Sequence, residues 1–499
     1  MKSIASVAAA AALLATSLAG QGGRGNAAAT KFNEVCAACH GISATKGPTA
    51  PSLFDDEWLH GSDDESIVKN IRDGMPEKGM QPFRDLLTEQ ETWQLVAYIR
   101  TTSANLKAKP VYVPDPDGQI VRSQKQTFRM EIVARNLETP WAIAFLPDGR
   151  MLITERPGRL RIVEKGRLLP EPVRGTPAVW EKQDGGLLDV EVHPDYARNG
   201  NGWIYISYSE TLANPAGAGP GCPGRGGAPP DPPSMTIVAR GRVNTSNEWV
   251  DQQILYRAPD NVYNSCNAHY GSRFIFDRQN HLYFSLGEKQ QIADAQDLTK
   301  PTGKIHRIND DGTIPKDNPF VGHAAGVANT VRSIWSVGHR NPQGFAWDPV
   351  TGQLWESEHG PTGGDEINVV EPRKNYGWGV ITMGVQNGIT KRSEPGMEQP
   401  VRHWTPSVAP SGIAFYTATR YPGWKNNLFV SCLVGQQLKR LEITNGKVTH
   451  EEQVFNQFGR VHDVVQGPDG LLYVTLQLPG QVLSQSTPGM IARLVPVRP

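Results

Sequence analysis

From about residue 128 to the C-terminus the apolar runs are short, and six of them end in a small hydroxyl residue. These are Leu152-Ile153-Thr154, Tyr205-Ile206-Ser207, Tyr283-Phe284-Ser285, Trp355-Glu356-Ser357, Phe429-Val430-Ser431 and Tyr473-Val474-Thr475. Several follow turn signals of the Pro-Asp-Gly kind, or Asp-Pro-Val-Thr-Gly at 348–352, which predicts strands separated by tight turns. Six occurrences at loosely regular four-strand spacing predict an all-β six-bladed β-propeller over 127–499. The spacing is uneven, and 214–233, with its GAGPGCPGRGG tract, is a long surface loop between strands. No helix signal follows those glycines, so a phosphate-binding loop is not indicated.

Upstream the period changes. Ile67 and Ile71 lie on one face of an amphipathic helix, and a second helix starts at Thr88, with Glu91 completing a capping box, and runs through Trp93, Val96 and Ile99. These patterns predict a small all-α domain over 29–106. Its opening reads Cys36-Ala-Ala-Cys39-His40, the c-type haem attachment pattern: two thiols form thioethers and the adjacent His supplies an axial nitrogen. A loop with Met75 and Met80 precedes the last helix. The unit resembles a class I cytochrome c, and on that resemblance Met80, in MQPF, is the expected sixth iron ligand rather than Met75. A His40/Met80 pair raises the haem potential, as an electron acceptor requires. Residues 107–126, with Pro110, Pro114 and Pro116, read as a stiff linker.

Composition narrows the partners. The 499 residues carry 50 basic and 50 acidic side chains, so no nucleic-acid partner is indicated. With 51 glycines and 39 prolines, the chain suits a loop-rich β protein. The first 28 residues, a basic start, an apolar run and a small-residue end, read as a signal peptide for export to a periplasm, with no membrane anchor. Beyond the haem pair, Cys222, Cys266 and Cys432 remain, room for one disulfide whose pairing the sequence leaves open.

The densest chemistry lies between Gly338 and Trp378. His339-Arg340-Asn341 and Glu358-His359-Gly360-Pro361 flank two strand-like runs, and Gly363-Gly364-Asp365-Glu366 follows. Gly-rich loops carrying such residues beside a β-meander read as a site on a rigid sheet. This stretch resembles the soluble PQQ-dependent glucose/sorbosone (aldose sugar) dehydrogenases. The likeness runs from about Leu137 to the C-terminus, through LETPWAIAFLPDGRMLITERPGRLRIV, GGLLDVEVHP, HYGSRF, GKIHRINDDGTIPKDNPF, PSVAPSGIAFY and VVQGPDGLLYV.

The resemblance implies roles. His269 matches the catalytic base, and Glu288 stands where it would orient that base. Arg340 and Asn341 match residues that contact the quinone cofactor PQQ. The carbonyls of Gly360 and Pro361 match ligands of the calcium that holds it. Asp365 matches an acid that orients the base or the substrate, and Glu366 with the Tyr376 carbonyl matches a second, structural calcium site. PQQ is a tricarboxylate, so cations should face it. Relatives carry Arg-x-Arg-Asp where this chain reads Arg460-Val-His462-Asp463, and a Lys where it reads Leu433-Val434-Gly435. Two positive groups are thus weakened or absent. Gln183 lies one residue off its usual spacing before Gly-Leu-Leu, so either Gln183 or Asp184 faces the cofactor.

The expected protein is a periplasmic quinohaemoprotein. It oxidises aldose sugars at C1 to lactones with hydride transfer to PQQ, passes electrons to covalent haem c, and from there to a respiratory acceptor. The alternatives are a calcium-dependent propeller lactonase or hydrolase, and a PQQ dehydrogenase for a non-aldose alcohol or aldehyde.

Overall fold

The computed structural model describes residues 22–45, 47–107, 110–198, 200–222, 229–322, 329–479 and 486–497. The chain divides into two compact units, the first ending at Lys109 and the second beginning at Pro110. The signal peptide expected over 1–28 falls mostly outside the described residues. No described helix is long and apolar enough to cross a membrane.

The first unit is helical. Gly22–Val35, Ala37–His40, Asp64–Asp73 and Glu89–Leu106 are α-helices. The capping box at the last helix forms as expected: Thr88 Oγ1 accepts the Glu91 N–H, and Glu91 accepts the Thr88 N–H. Asp63 caps the preceding helix by accepting the Ser66 N–H at 2.8 Å. The apolar faces meet around Phe32, Phe54, Ile67, Ile71, Val96 and Ile99, all buried.

The second unit is a six-bladed propeller of antiparallel sheets, five with four strands and one with five. The innermost strands of successive blades are Pro140–Phe145, Leu187–Val192, Phe274–Phe276, Pro342–Trp347, Pro410–Phe415 and Val464–Gln466. Each of the six predicted hydroxyl runs is the second strand of its blade. All six hydroxyl residues are fully buried, and each is hydrogen-bonded. Thr154 donates to Leu188 O of the next blade and accepts the Ala142 N–H of its own. Ser207 and Ser285 repeat the arrangement with Ser272 O and Pro342 O, and Ser357 donates to Ser411 O. Ser431 donates to Gly412 O, and Thr475 accepts the N–H groups of His462 and Asp463. The hydroxyl recurs because the inner edge of a blade has backbone groups that its own ladder does not pair, and a small side chain there satisfies them.

Ring closure joins the ends of the unit. Thr127–Glu138 pairs antiparallel with Pro488–Pro496, Phe128 opposite Pro496 and Glu138 opposite Pro488. Ile120–Arg122, within the stretch expected as linker, pairs with Thr127–Arg129 as an outer fifth strand. Between blades the sheets bury apolar faces, for instance Leu152, Ile162, Val190, Ile206, Ile237 and Trp249 between the first and second blades. Each such side chain contributes about 1.5–3 kcal/mol. On the axis, Arg273 donates to Asp189 (3.1 Å) and the Gln343 carbonyl (2.8 Å), pairs with Asp463 (3.3 Å), and lies over Trp141 at 4.2 Å. One guanidinium thereby ties the innermost strands of the first four blades to the approach to the sixth.

Candidate active site

The expected base sits in an extreme local conformation. His269 has φ +57°, and its backbone N–H donates to Asp184 Oδ2 at 3.1 Å. Its carbonyl packs so closely on the next chain segment that a Cβ on Gly287 would lie 2.1 Å away, so only glycine fits there. Held this way, His269 meets Glu288 through Nδ1. With Nδ1–H donated to the carboxylate, Nε2 carries the lone pair and is the atom able to accept a proton. Burial pushes His269 well below its ordinary value, and Arg340 adds to the push. The ring is therefore neutral and ready as a base. Burial raises Glu288 to about 7, against the pull of Arg340 and Lys289. Its other oxygen, Oε2, has no partner among the described residues.

Arg340 and Asn341 are built in from the fourth blade. Glu358 anchors both, accepting the Arg340 N–H at 2.6 Å and the Asn341 N–H at 3.2 Å. The Arg340 guanidinium donates to His359 O at 2.9 Å and lies over Trp378 at 5.2 Å, while its Nε is unpaired among the described residues. Asn341 Oδ1 accepts the Gly271 N–H (3.1 Å) and a Gln343 N–H (3.0 Å). This amide is the stitch between the His269 segment and the Arg340 segment.

Asp365 and Glu366 are neighbours with opposite fates. The Asp365 carboxylate accepts from Gly360 N (2.8 Å), Ser407 Oγ, Val408 N and Ala409 N (each 2.7 Å). Its four bonds go to loop backbone and a serine, none to His269, so in this geometry it holds loops together. Among the described residues the Glu366 carboxylate has one hydrogen bond, from Asn368 at 3.2 Å. Burial and the facing Glu358 hold it well above the usual carboxylate range. Glu366 lines one cavity with Arg340, Glu358, His359, Gly360 and Tyr376. His339, Glu356 and Glu358 cluster behind it with their ligand atoms all within 4.8 Å.

Crowded buried carboxylates of this kind fit a divalent cation. The carbonyls of Gly360 and Pro361 accept no hydrogen bond among the described residues, and hard oxygen donors of both sorts suit calcium. Asp184 acts electrostatically on His269, Arg340 and Arg460, and Arg156 on Arg460; this charged group beside the inner strands is the funnel of the propeller, and the unpaired Glu288 Oε2 and Arg340 Nε fit a polar ligand there.

The remaining expected residues divide. Gln183 has φ +51°, but Asp184 is the one bonded to His269. Arg460 is held by paired backbone bonds with Gln477, each 2.8 Å. His462 bonds Gln477 Oε1 through Nε2 at 2.6 Å, and burial with Arg460 beside it keeps it far below its ordinary value. It adds no positive charge. In the helical unit Cys36 and Cys39 are free thiols, and His40 Nδ1 bonds Pro51 O at 2.8 Å, leaving Nε2 for an iron. Met75 and Met80 face each other in one backbone bridge. This donor set fits a covalently held haem. The disulfide forms between Cys222 and Cys266, and Cys432 is a buried thiol.

Glu358, although quoted in the loop cluster, and Arg156 were given no role by the sequence reading. Both follow directly from the blade repeat: Glu358 stands one position past the hydroxyl of its second strand and Arg156 two, where the strand leaves the sheet toward the funnel.

The family profile described as Glucose / Sorbosone dehydrogenase matches residues 137–484. The chain belongs to the glucose/sorbosone dehydrogenase family. As a member of that family it is similar to the aldose sugar dehydrogenase YliI of Escherichia coli strain K12, 39% identical over 370 residues, covering 72% of this chain and 93% of the relative. The crystal structure of the soluble aldose sugar dehydrogenase from Escherichia coli matches with a TM-score of 0.64 and 36% identity, over 74% of this chain and 100% of the other. A PQQ-bound aldose sugar dehydrogenase from Streptomyces coelicolor shares the fold at 23% identity, TM-score 0.56, over 77% of this chain and 100% of the other. At the N-terminus of this chain, a profile described as cytochrome c oxidase, cbb3-type, subunit III matches residues 23–99. There it is 40% identical over 83 residues to the cbb3-type cytochrome c oxidase subunit FixPc of Rhizobium leguminosarum bv. viciae, 15% of this chain and 28% of that relative. The chain is thus a sugar-dehydrogenase propeller carrying an N-terminal cytochrome c domain.

Proposed function

We propose that this protein is an exported, periplasmic quinohaemoprotein that oxidises aldose sugars at C1 to lactones. The domains are a leader at 1–28, a cytochrome c domain at 29–106, a linker at 107–126 and the dehydrogenase propeller from 127. When bound, PQQ would supply a hydride acceptor for C1, calcium a Lewis acid for the quinone, and haem c, which Cys36, Cys39, His40 and Met80 would hold, a one-electron carrier toward a respiratory acceptor.

The chain's own part is proton handling and placement. His269 Nε2 takes the C1 hydroxyl proton. Glu288, on the other ring nitrogen, fixes the tautomer and offsets the positive charge that then appears on the imidazole. Arg340, with one unpaired N–H, stands ready to stabilise negative charge developing nearby. Asn341 keeps the two segments in register, and the carbonyls of Gly360 and Pro361 would hold calcium. Glu366 and the Tyr376 carbonyl offer a further oxygen set for it.

The observation that carries this reading is the neutral His269 with Nδ1 committed to Glu288 and Nε2 left bare. The test reconstitutes the haem-bearing protein with PQQ and calcium, adds a panel of aldoses, and follows the haem absorption band. Reduction of the haem and release of lactone are expected. A band that no aldose reduces, or lactone hydrolysis that proceeds without PQQ, would overturn the proposal.

A further inference from the structure

Two guanidiniums in the funnel lack an adequate counter-ion. Arg156 follows the second strand of the first blade. Its N–H donates to Thr139 O at 3.1 Å, and its carbonyl accepts the Leu187 N–H at 2.9 Å. A Cβ on Gly186 would lie 2.2 Å from the Arg156 carbonyl oxygen and 2.4 Å from its Cγ, so a glycine there is what admits this arginine. The side chain is 7% exposed. Its acidic neighbour, Glu181, is 3.5 Å away and already takes the Ser486 hydroxyl. Arg156 Nε has no partner among the described residues.

Arg460 is half-buried, and it too is incompletely paired. Its backbone is clamped to Gln477, yet its Nε is also unpaired among the described residues. Burial pulls it down to about 10, with Arg156 adding to the pull and Asp184 opposing it. The neighbouring His462 is held neutral by its burial and by Arg460 beside it. Buried cations left so poorly paired are costly unless an anion completes them. Two planar forks, near enough that Arg156 acts electrostatically on Arg460, suit a carboxylate in particular, which accepts paired N–H donors.

We propose that Arg156 and Arg460 form a carboxylate-binding fork in the funnel, with Arg156 supplying the second positive charge that His462 does not. The inference rests on the functional reading above and extends it to a residue that reading does not use. Two sources could bring the carboxylate: the quinone cofactor itself, or an acidic sugar such as a hexuronate.

The test uses the full haem-bearing chain prepared without quinone, as wild type, Arg156→Gln and Arg156→Lys. PQQ is titrated in at fixed calcium and followed by tryptophan quenching. KM is then measured at saturating PQQ for a neutral aldose and for a hexuronate. Arg156→Gln is expected to weaken PQQ binding roughly 10- to 100-fold, with Arg156→Lys recovering part of it. Unchanged PQQ binding with a tenfold rise in KM for the hexuronate alone would keep the fork and assign it to the sugar. If neither quantity moves while wild type binds PQQ, the fork is overturned and the functional reading stands. If wild type takes up no PQQ, the functional reading falls, and calorimetric titration with a hexuronate decides the fork. Should Arg156→Gln fail to fold, Arg156→Lys and Arg460→Gln carry the same measurements.

Discussion

The ring of buried hydroxyls and the funnel are both polar and both buried, and they differ in one respect. Each of the six ring hydroxyls has a backbone partner, and Thr154, Ser207 and Ser285 have partners on two blades. The funnel instead holds unpaired atoms among the described residues, including Glu288 Oε2, Arg340 Nε, Arg156 Nε, Arg460 Nε and His462 Nδ1. A buried polar group left without a partner costs about 1–3 kcal/mol, so a fold keeps such groups together where a ligand completes them. Single atoms unpaired among the described residues occur elsewhere too, at Arg307, Trp355 and Arg440 for instance; what sets the funnel apart is that several ionisable side chains are left incomplete there together. Removing a ring hydroxyl should therefore injure the fold and spare the chemistry, and removing a funnel group should do the reverse.

The largest effect is expected at His269. His269→Ala should lower kcat/KM for aldose oxidation by roughly 10²–10⁴, while the melting temperature and PQQ affinity stay near those of wild type. A comparable loss of folding stability would place His269 with the ring instead. Asp365, although it lies in the site's own loop, is satisfied like a ring residue. Asp365→Ala strips the acceptor from three backbone N–H groups and a serine, and should destabilise the propeller by about 3–5 kcal/mol in denaturant titration. If that variant keeps its stability and loses only turnover, the contrast drawn here fails at this residue.

Glu366 is the sharper counterpart, one position along the same strand. Because it faces Glu358 at close quarters, it should matter mainly when a cation is present. Calcium at about 100 times its dissociation constant should stabilise wild type by about 2.7 kcal/mol, read as a rise in melting temperature that chelator reverses. Glu366→Gln should abolish most of that rise and leave the chelated protein no less stable than chelated wild type. Ser207→Ala should cost about 1–2 kcal/mol with kcat unchanged, since it removes the acceptor of the Asp189 N–H and the donor to Ser272 O.

How much of this was legible depended on whether the signal was local. The hydroxyl runs recur within single strands, so Thr154, Ser207, Ser285, Ser357, Ser431 and Thr475 announced six blades. Ring closure was not visible, because Phe128 meets Pro496 across the whole length of the propeller and neither strand carries a mark of the other. Arg340, Glu288 and His269 were picked out by motif, and the structure brings His269 and Glu288 together through a hydrogen bond. Asp365 drew attention for its company, but the donors that occupy it come from Ser407, Val408 and Ala409, some forty residues on. Arg156 sat in a quoted motif and went unread because an arginine after a strand usually looks like surface charge. Only its burial, and the glycine that makes room for it, separate it from one.

A last test of the contrast runs through pH. His306 is buried in the third blade, stacked on Phe284 at 4.9 Å, with both ring nitrogens bonded, to Ser333 Oγ and Pro301 O at 2.8 Å each. Burial pushes it down to about 3. In the unfolded chain it titrates near its ordinary 6.5, so the unfolded state binds a proton that the native state refuses. Its contribution is therefore whole above pH 6.5 and is lost progressively below it, at about 1.4 kcal/mol per pH unit until pH nears 3. Stability measured from pH 7 to 4 should fall with that slope added to the contribution of the carboxylates. In His306→Gln the slope should be shallower by about that amount, with KM for the sugar unchanged at pH 7. An equal slope in both proteins would mean that His306 takes up its proton in the native blade, and that a fully bonded residue outside the funnel can yield as readily as the unpaired ones within it.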